Sequence, residues 1–275
     1  MCESLLQNRW PISAVLADES VTRVENRRLD LTTAQWELLG DLVKILHPLE
    51  IGTTYLCSEA TSSLSSILPV LFGIIKHLEV KETDSTNIRR FKISVDTQIR
   101  SRWQFDDIDP SDIKVIAAAL DPRYKALKFL NAEKISEVKA ELIDEIQQLQ
   151  IASDMLNSNS QDSQPPVKKK ALDILFGTEE NNPSVTLEDE VDLYFSETGA
   201  PRSSDPLAWW KANLLRYPHL SQLVKPVFAI PATFTSSERL FSVGSLTVTR
   251  LRSSLSRENV NALIFLHNNY NLITI

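Results

Sequence analysis

The sequence predicts a mainly α-helical protein, on three observations. Glycine is scarce, six in 275 residues, which leaves few sites for the tight turns that join strands. Apolar residues recur at intervals of three and four along most of the chain, the spacing of one helix face. Apolar runs of strand type, such as 227–230 and 247–249, are too short to build a sheet. No internal repeat is present.

Taken in order, the N-terminal stretch MCESLLQNRWPISAVL reads as helix, with no basic leader of secretory type. Thr32 to Gln35 fits a capping box, in which a hydroxyl and an amide exchange bonds with the first helical turn. Trp36, Leu39, Val43 and Leu46 follow on one face, and Pro48 should kink or end that helix. Ser63 is placed to cap a run carrying Leu64, Ile67, Leu68, Leu71, Ile75 and Leu78. Pro69 should bend this run unless the helix starts near it. Residues 84–104 form a third amphipathic helix, with Ile88, Phe91, Val95, Ile99 and Trp103 as its stripe. Arg89, Arg90, Lys92, Arg100 and Arg102 give it a basic, solvated face.

A fourth helix starts near Pro110 and is reset at Asp121-Pro122, because proline disfavours helical geometry in the residue before it. Asn131 caps a fifth, with Ile135, Val138, Leu142, Ile146 and Leu149 in line. Residues 152–184 are polar, contain proline and lack any period, so they read as a disordered linker between residues 1–151 and 185–275. Lys168, Lys169 and Lys170 within it fit a minimal nuclear-import signal. Order returns at Thr186, then at Asp205 with Pro206 in the first helical position, and again at Pro218. Thr235-Ser236-Ser237-Glu238 fits a second capping box. Ser256 caps a last helix whose Val260, Leu263, Ile264, Phe265 and Leu266 form a face too wide for a lone surface helix. That face has to be buried in a core or against another chain.

Composition bounds the function. The apolar fraction of 43% supports a real core, and the net charge of −7 excludes a uniformly cationic nucleic-acid binder. The charge is uneven: residues 201–275 carry two lysines and six arginines against three acids, leaving −12 on the rest. Such a basic part on an acidic body suits an anionic partner. Cys2 and Cys57 form no C-x2-C pair, which excludes a zinc finger in this chain, and His47, His77, His219 and His267 are scattered. No stretch is long and apolar enough to suggest a membrane helix.

Two long phrases carry a family resemblance. They are DPLAWWKANLLRYPHLSQLVKPVFAIPAT and SSERLFSVGSLTVTRLRSSLSRENVNALIFLHNN. Together they resemble the C-terminal dimerisation region of hAT-superfamily transposases, closest to the domesticated BED-type zinc-finger proteins. Upstream, residues 9–78 and AAALDPRYKALKFL resemble the helical insertion domain of that family. The resemblance implies a helical insertion domain followed by the C-terminal helical part of a ribonuclease-H-like core, with the sheet largely missing. It also implies that Glu238 matches the third carboxylate of a two-aspartate, one-glutamate metal site. The two aspartates are expected upstream of the insertion. Glu238 is therefore read here as a vestigial residue in a helix cap, and the chain as non-catalytic. Phe234 and Gly244-Ser245 depart from the family pattern, and the BED finger is absent from this sequence.

The function this implies is a dimerisation module of a domesticated or truncated hAT transposase, in a nuclear, DNA-associated or transcription-regulatory setting. Its partner would be a second copy or another hAT-derived chain. Candidate dimerisation residues are Trp209, Trp210, Leu214, Phe241, Val260, Leu263, Ile264 and Leu266; the alternative is that they fill an internal core. A sequence-nonspecific DNA-binding fragment is the second reading, with Arg239, Arg250, Arg252 and Arg257 as candidate phosphate contacts. A truncated transposase without function is the third. No cofactor, metal, small-molecule substrate or membrane is expected as a partner.

Overall fold

The computed structural model describes residues 2–58, 62–158, 186–248 and 254–273. Among them 70% are helical and none lies in a sheet. Short helices α1 (Cys2–Gln7), α2 (Arg9–Ala17) and α3 (Val24–Arg27) precede the long α4 (Thr33–Leu56). A 3₁₀ turn, Leu64–Ser66, leads into α5 (Ile67–His77), followed by α6 (Thr86–Trp103), α7 (Ile113–Leu120) and α8 (Ala132–Ser158). Then come α9 (Leu187–Ser196), α10 (Pro206–Asn213), α11 (Leu220–Phe228), α12 (Thr235–Thr247) and α13 (Arg257–Ile273).

Several helix starts follow directly from side-chain caps. Thr32 and Gln35 close both bonds of the capping box on α4. Thr186 and Asp189 do the same on α9, while Ser85, Asp112 and Asp205 each accept one amide of the helix they precede. α4 runs through Pro48 without ending. The bond that proline removes would have reached the carbonyl of Lys44, on an exposed turn where water can satisfy it. α5 begins at Ile67, so Pro69 sits in the first turn, where no amide donor is needed. The solvated face expected on α6 loses one member. Lys92 is buried and donates to Asp84 at 2.7 Å and to the Glu79 carbonyl at 3.2 Å.

The core is built around α7. Every residue from Val115 to Leu120 is buried, and three successive alanines let neighbouring helices approach closely. Leu68 of α5, Val138, Leu142 and Ile146 of α8, Val191 and Tyr194 of α9, Trp210 of α10, and Leu220 and Leu223 of α11 join one apolar cluster with it. Each fully buried side chain of this size contributes about 1.5–3 kcal/mol of transfer free energy. The expected linker at 152–184 therefore separates two stretches of chain that share this core. The helix before it also reaches Ser158, seven residues past the expected boundary. Lys168, Lys169 and Lys170 lie outside the described residues.

Where α7 ends, its last carbonyls lack intrahelical partners. Residues of α9 and α10 supply them: the Tyr194 hydroxyl donates to Ala119 O at 3.1 Å, and Trp210 Nε1 donates to Leu120 O at 2.9 Å. Directly after, Asp121 is fully buried and accepts from Ser65 Oγ at 2.7 Å and from Arg123 Nε and Nη2 at 2.9 and 2.7 Å. Burial opposes the charge on Arg123, but the Asp121 carboxylate outweighs it and holds the guanidinium well above its ordinary pKa. Glu190 plays a similar part for α11. Its buried carboxylate accepts the amides of His219 and Leu220 at 3.0 and 2.8 Å, an anion at a helix N-terminus.

Candidate dimerisation surface

The last two helices form a hairpin of a different character. α12 and α13 pack on each other, and no described side chain of either is buried. Gly244 sits at their crossing: a Cβ there would lie 3.4 Å from Cδ1 of Ile264, so glycine permits the close approach. Ser256 Oγ accepts the amide of Asn259 at 3.3 Å and starts α13, as its position before the apolar run predicts.

The start of α12 differs from the capping box read in the sequence. The helix begins at Thr235, with Phe234 in the capping position and no side-chain cap. The Thr235 hydroxyl instead lies 3.3 Å from Cys57 Sγ, and Thr233 Oγ1 donates to it at 2.9 Å. Glu238 is exposed on the first turn and makes no return bond to a capping amide. Among the described residues, no group of three or more His, Cys, Asp or Glu side chains is placed to hold a metal ion.

Next to Glu238, Arg239 donates from Nη2 to Cys57 O at 3.2 Å. That carbonyl belongs to the residue ending α4, and a cation there suits the negative helix terminus. Arg239, a candidate DNA contact, thus anchors the hairpin to α4. A second tie lies just upstream, where the Leu64 amide donates to Ile230 O at 3.0 Å beside a Ser63–Pro231 bridge. Arg257 is exposed at the start of α13, and Arg250 and Arg252 lie outside the described residues.

The candidate dimerisation residues divide into three sets. Trp210 is a correction: at 2% exposed it belongs to the core, stacked on Tyr194 with centroids 5.3 Å apart. Its indole donor is drawn inward because α7 leaves the Leu120 carbonyl without a helical partner. Trp209 is half-buried in the same aromatic cluster, stacked on Tyr217. Val260 and Ile264 are half-buried on α13, with Ile264 in the hairpin seam. Leu214, Phe241, Leu263 and Leu266 are exposed, Phe241 at 77%.

Three further residues extend that last set. Leu246, Phe265 and Tyr270 are also exposed, and Leu263, Leu266, His267, Tyr270 and Thr247 line an open notch of about 350 Å³. Phe265 belongs to the wide apolar face expected of the last helix; Leu246 carries no such signal in the sequence. An apolar notch can take a projecting side chain from a partner, the arrangement in which aromatic and aliphatic anchors carry interface energy.

Residues 190–270 match the hAT family C-terminal dimerisation region. The match spans α9 to α13 and so includes both the core half and the exposed hairpin. Over most of its length the chain is similar to human zinc finger BED domain-containing protein 4, 28% identical across 90% of this chain and 21% of that protein. It is 28% identical to a putative AC transposase of Zea mays, across 64% of this chain and 24% of the relative. A shorter similarity, 36% identical across 28% of this chain and 12% of the relative, links it to the zinc finger BED domain-containing protein DAYSLEEPER of Arabidopsis thaliana. The chain spans a quarter or less of the length of these relatives.

Proposed function

From a chain that carries a hAT C-terminal dimerisation region and is homologous to hAT transposases and BED zinc-finger proteins, we propose a self-associating module whose interface is the α12–α13 hairpin. The observation that carries this reading is the apolar notch lined by Leu263, Leu266 and Tyr270, with Phe241, Leu246 and Phe265 also exposed, on a hairpin none of whose described side chains is buried. Leaving so much large apolar surface in water is unfavourable, and exposed apolar surface of this extent marks interaction sites. The homodimer is the simplest assembly, because a two-fold axis lets this surface cover its own copy. A second hAT-derived chain with the same region would present an equivalent face.

The same reading assigns this chain a binding role and no catalytic step. It rests on the matched region being one described by dimerisation, and on Glu238 standing exposed beside an arginine that holds α4. With magnesium or manganese and duplex DNA, the expected result is no strand cleavage. Cleavage abolished by Glu238→Gln would contradict this. The homologues named for BED zinc fingers support a nuclear, DNA-associated setting, which a tagged chain observed by fluorescence would test.

Leu263→Asp and Leu266→Asp test the interface directly. Both side chains are exposed, so each variant should keep its helical circular dichroism while losing dimer mass in light scattering. Joint loss of helicity and mass would assign these leucines to a core and overturn the proposal.

A further inference from the structure

A pocket of about 630 Å³ opens where α5, the stretch after α7 and residues 199–202 meet. It lies on the folded core, and its lining includes no described residue of α12 or α13. Its volume falls in the range of small-ligand sites, roughly 300–1,000 Å³.

Among the described residues the lining holds four cations, Lys76, Arg123, Lys128 and Arg202, and no carboxylate. Arg123 is committed to Asp121, which fixes it in the wall. Lys76, Lys128 and Arg202 form no ion pair with a described carboxylate. In a chain of net charge −7, three such cations around one concavity concentrate positive potential there.

The floor is aromatic. Phe72 and Phe129 meet edge to face with centroids 6.4 Å apart, and the Lys76 ammonium sits 4.9 Å from the Phe72 ring centroid. Both rings are half-buried, so part of each remains accessible. Gly73, one helical position away from Phe72, also lines the pocket, and a Cβ added there would meet nothing within 4 Å.

Aromatic faces that take a flat ring, flanked by cations that take phosphate oxygens, are the two parts of nucleotide-unit recognition. We propose that this pocket binds a nucleoside phosphate. The base lies against Phe72 and Phe129, and the phosphates reach Lys76, Lys128 and Arg202. The ligand is either a free nucleotide or a nucleotide unit of a single strand, since both present the same ring and phosphate. The site is independent of the dimer interface and stands or falls separately.

The test titrates the full chain at low ionic strength with a ribose-labelled fluorescent ATP analogue, with adenosine and tripolyphosphate as competitors. A labelled single-stranded oligothymidylate forms a second arm. Saturable binding is expected, with each half-ligand competing at least about tenfold less well than ATP, because each lacks one set of contacts. Gly73→Leu fills the pocket and Arg202→Glu reverses one cation. Each should weaken binding about tenfold or more without lowering the melting temperature. Tighter binding of ATP identifies a free nucleotide as the source, and tighter binding of the oligonucleotide identifies a strand. Either result supports the site if both variants lose it. Three results would overturn the proposal: no saturable binding in either arm, affinities unchanged in both variants, or polyglutamate competing as well as ATP.

Discussion

The end of α7 and the α12–α13 hairpin use the same kinds of side chain to opposite ends. Around α7, Tyr194, Trp210, Tyr217, Leu142 and Leu220 are almost wholly out of water, and the polar groups among them are matched with donors and acceptors. On the hairpin, Phe241, Leu246, Phe265 and Tyr270 are mostly exposed, and the glycine at its crossing serves only the packing of two helices on each other. Apolar content alone does not separate a core from an interface. What separates them is whether other elements of the same chain converge on the residues. Five helices contribute buried residues to the apolar cluster built on α7; α12 and α13 have chiefly each other.

The sharpest way to break this contrast is at the core. Trp210→Ala should cost about 3–5 kcal/mol, because it opens a large cavity and strips the Leu120 carbonyl of its donor. Denaturant unfolding should show it, and a loss below about 1 kcal/mol would mean that Trp210 does not hold the two halves of the chain together. Asp121→Ala should be nearly as damaging, about 3–5 kcal/mol, since Arg123 is left buried without its carboxylate. Replacing both Asp121 and Arg123 with apolar residues should recover part of that loss; a double variant no more stable than Asp121→Ala would argue against the ion-pair account.

On the hairpin the same kind of substitution should act on assembly rather than on folding. Phe241→Ser should shift the dimer dissociation constant upward by about tenfold or more, with chain stability within about 1 kcal/mol of the parent. A large loss of stability in dilute solution, where the chain is monomeric, would place Phe241 in a core. The smallest effect is expected at Glu238. Glu238→Gln should change stability by less than about 0.5 kcal/mol, because the side chain is exposed and caps nothing.

Much of the helical layout is legible in the sequence, because caps act locally. Thr32 with Gln35, Thr186, Asp205 and Ser256 each announce a helix within a few residues, and each does so in the structure. Local rules failed where a distant partner intervened. Thr235 reads as a cap, but its hydroxyl is engaged with Cys57, 178 residues away. Lys92 reads as solvated, but Asp84 and the Glu79 carbonyl draw it inward. Trp210 reads as an interface aromatic, but the terminus of α7 needs its indole donor. Asp121 reads as a helix break before proline, and that is correct; its buried pairing with Arg123 carries no periodic signal. For the surface, the width of the α13 stripe pointed to Leu263 and Leu266. The exposure of Leu246 emerges only once α12 is seen without a covering layer.

Sedimentation equilibrium of the unaltered chain across micromolar concentrations shows whether the α12–α13 hairpin joins two copies. The expected result is a species of twice the 31.1 kDa chain mass that dissociates on dilution and is abolished by Leu266→Asp with helicity unchanged. A folded monomer of the unaltered chain throughout that range would contradict it.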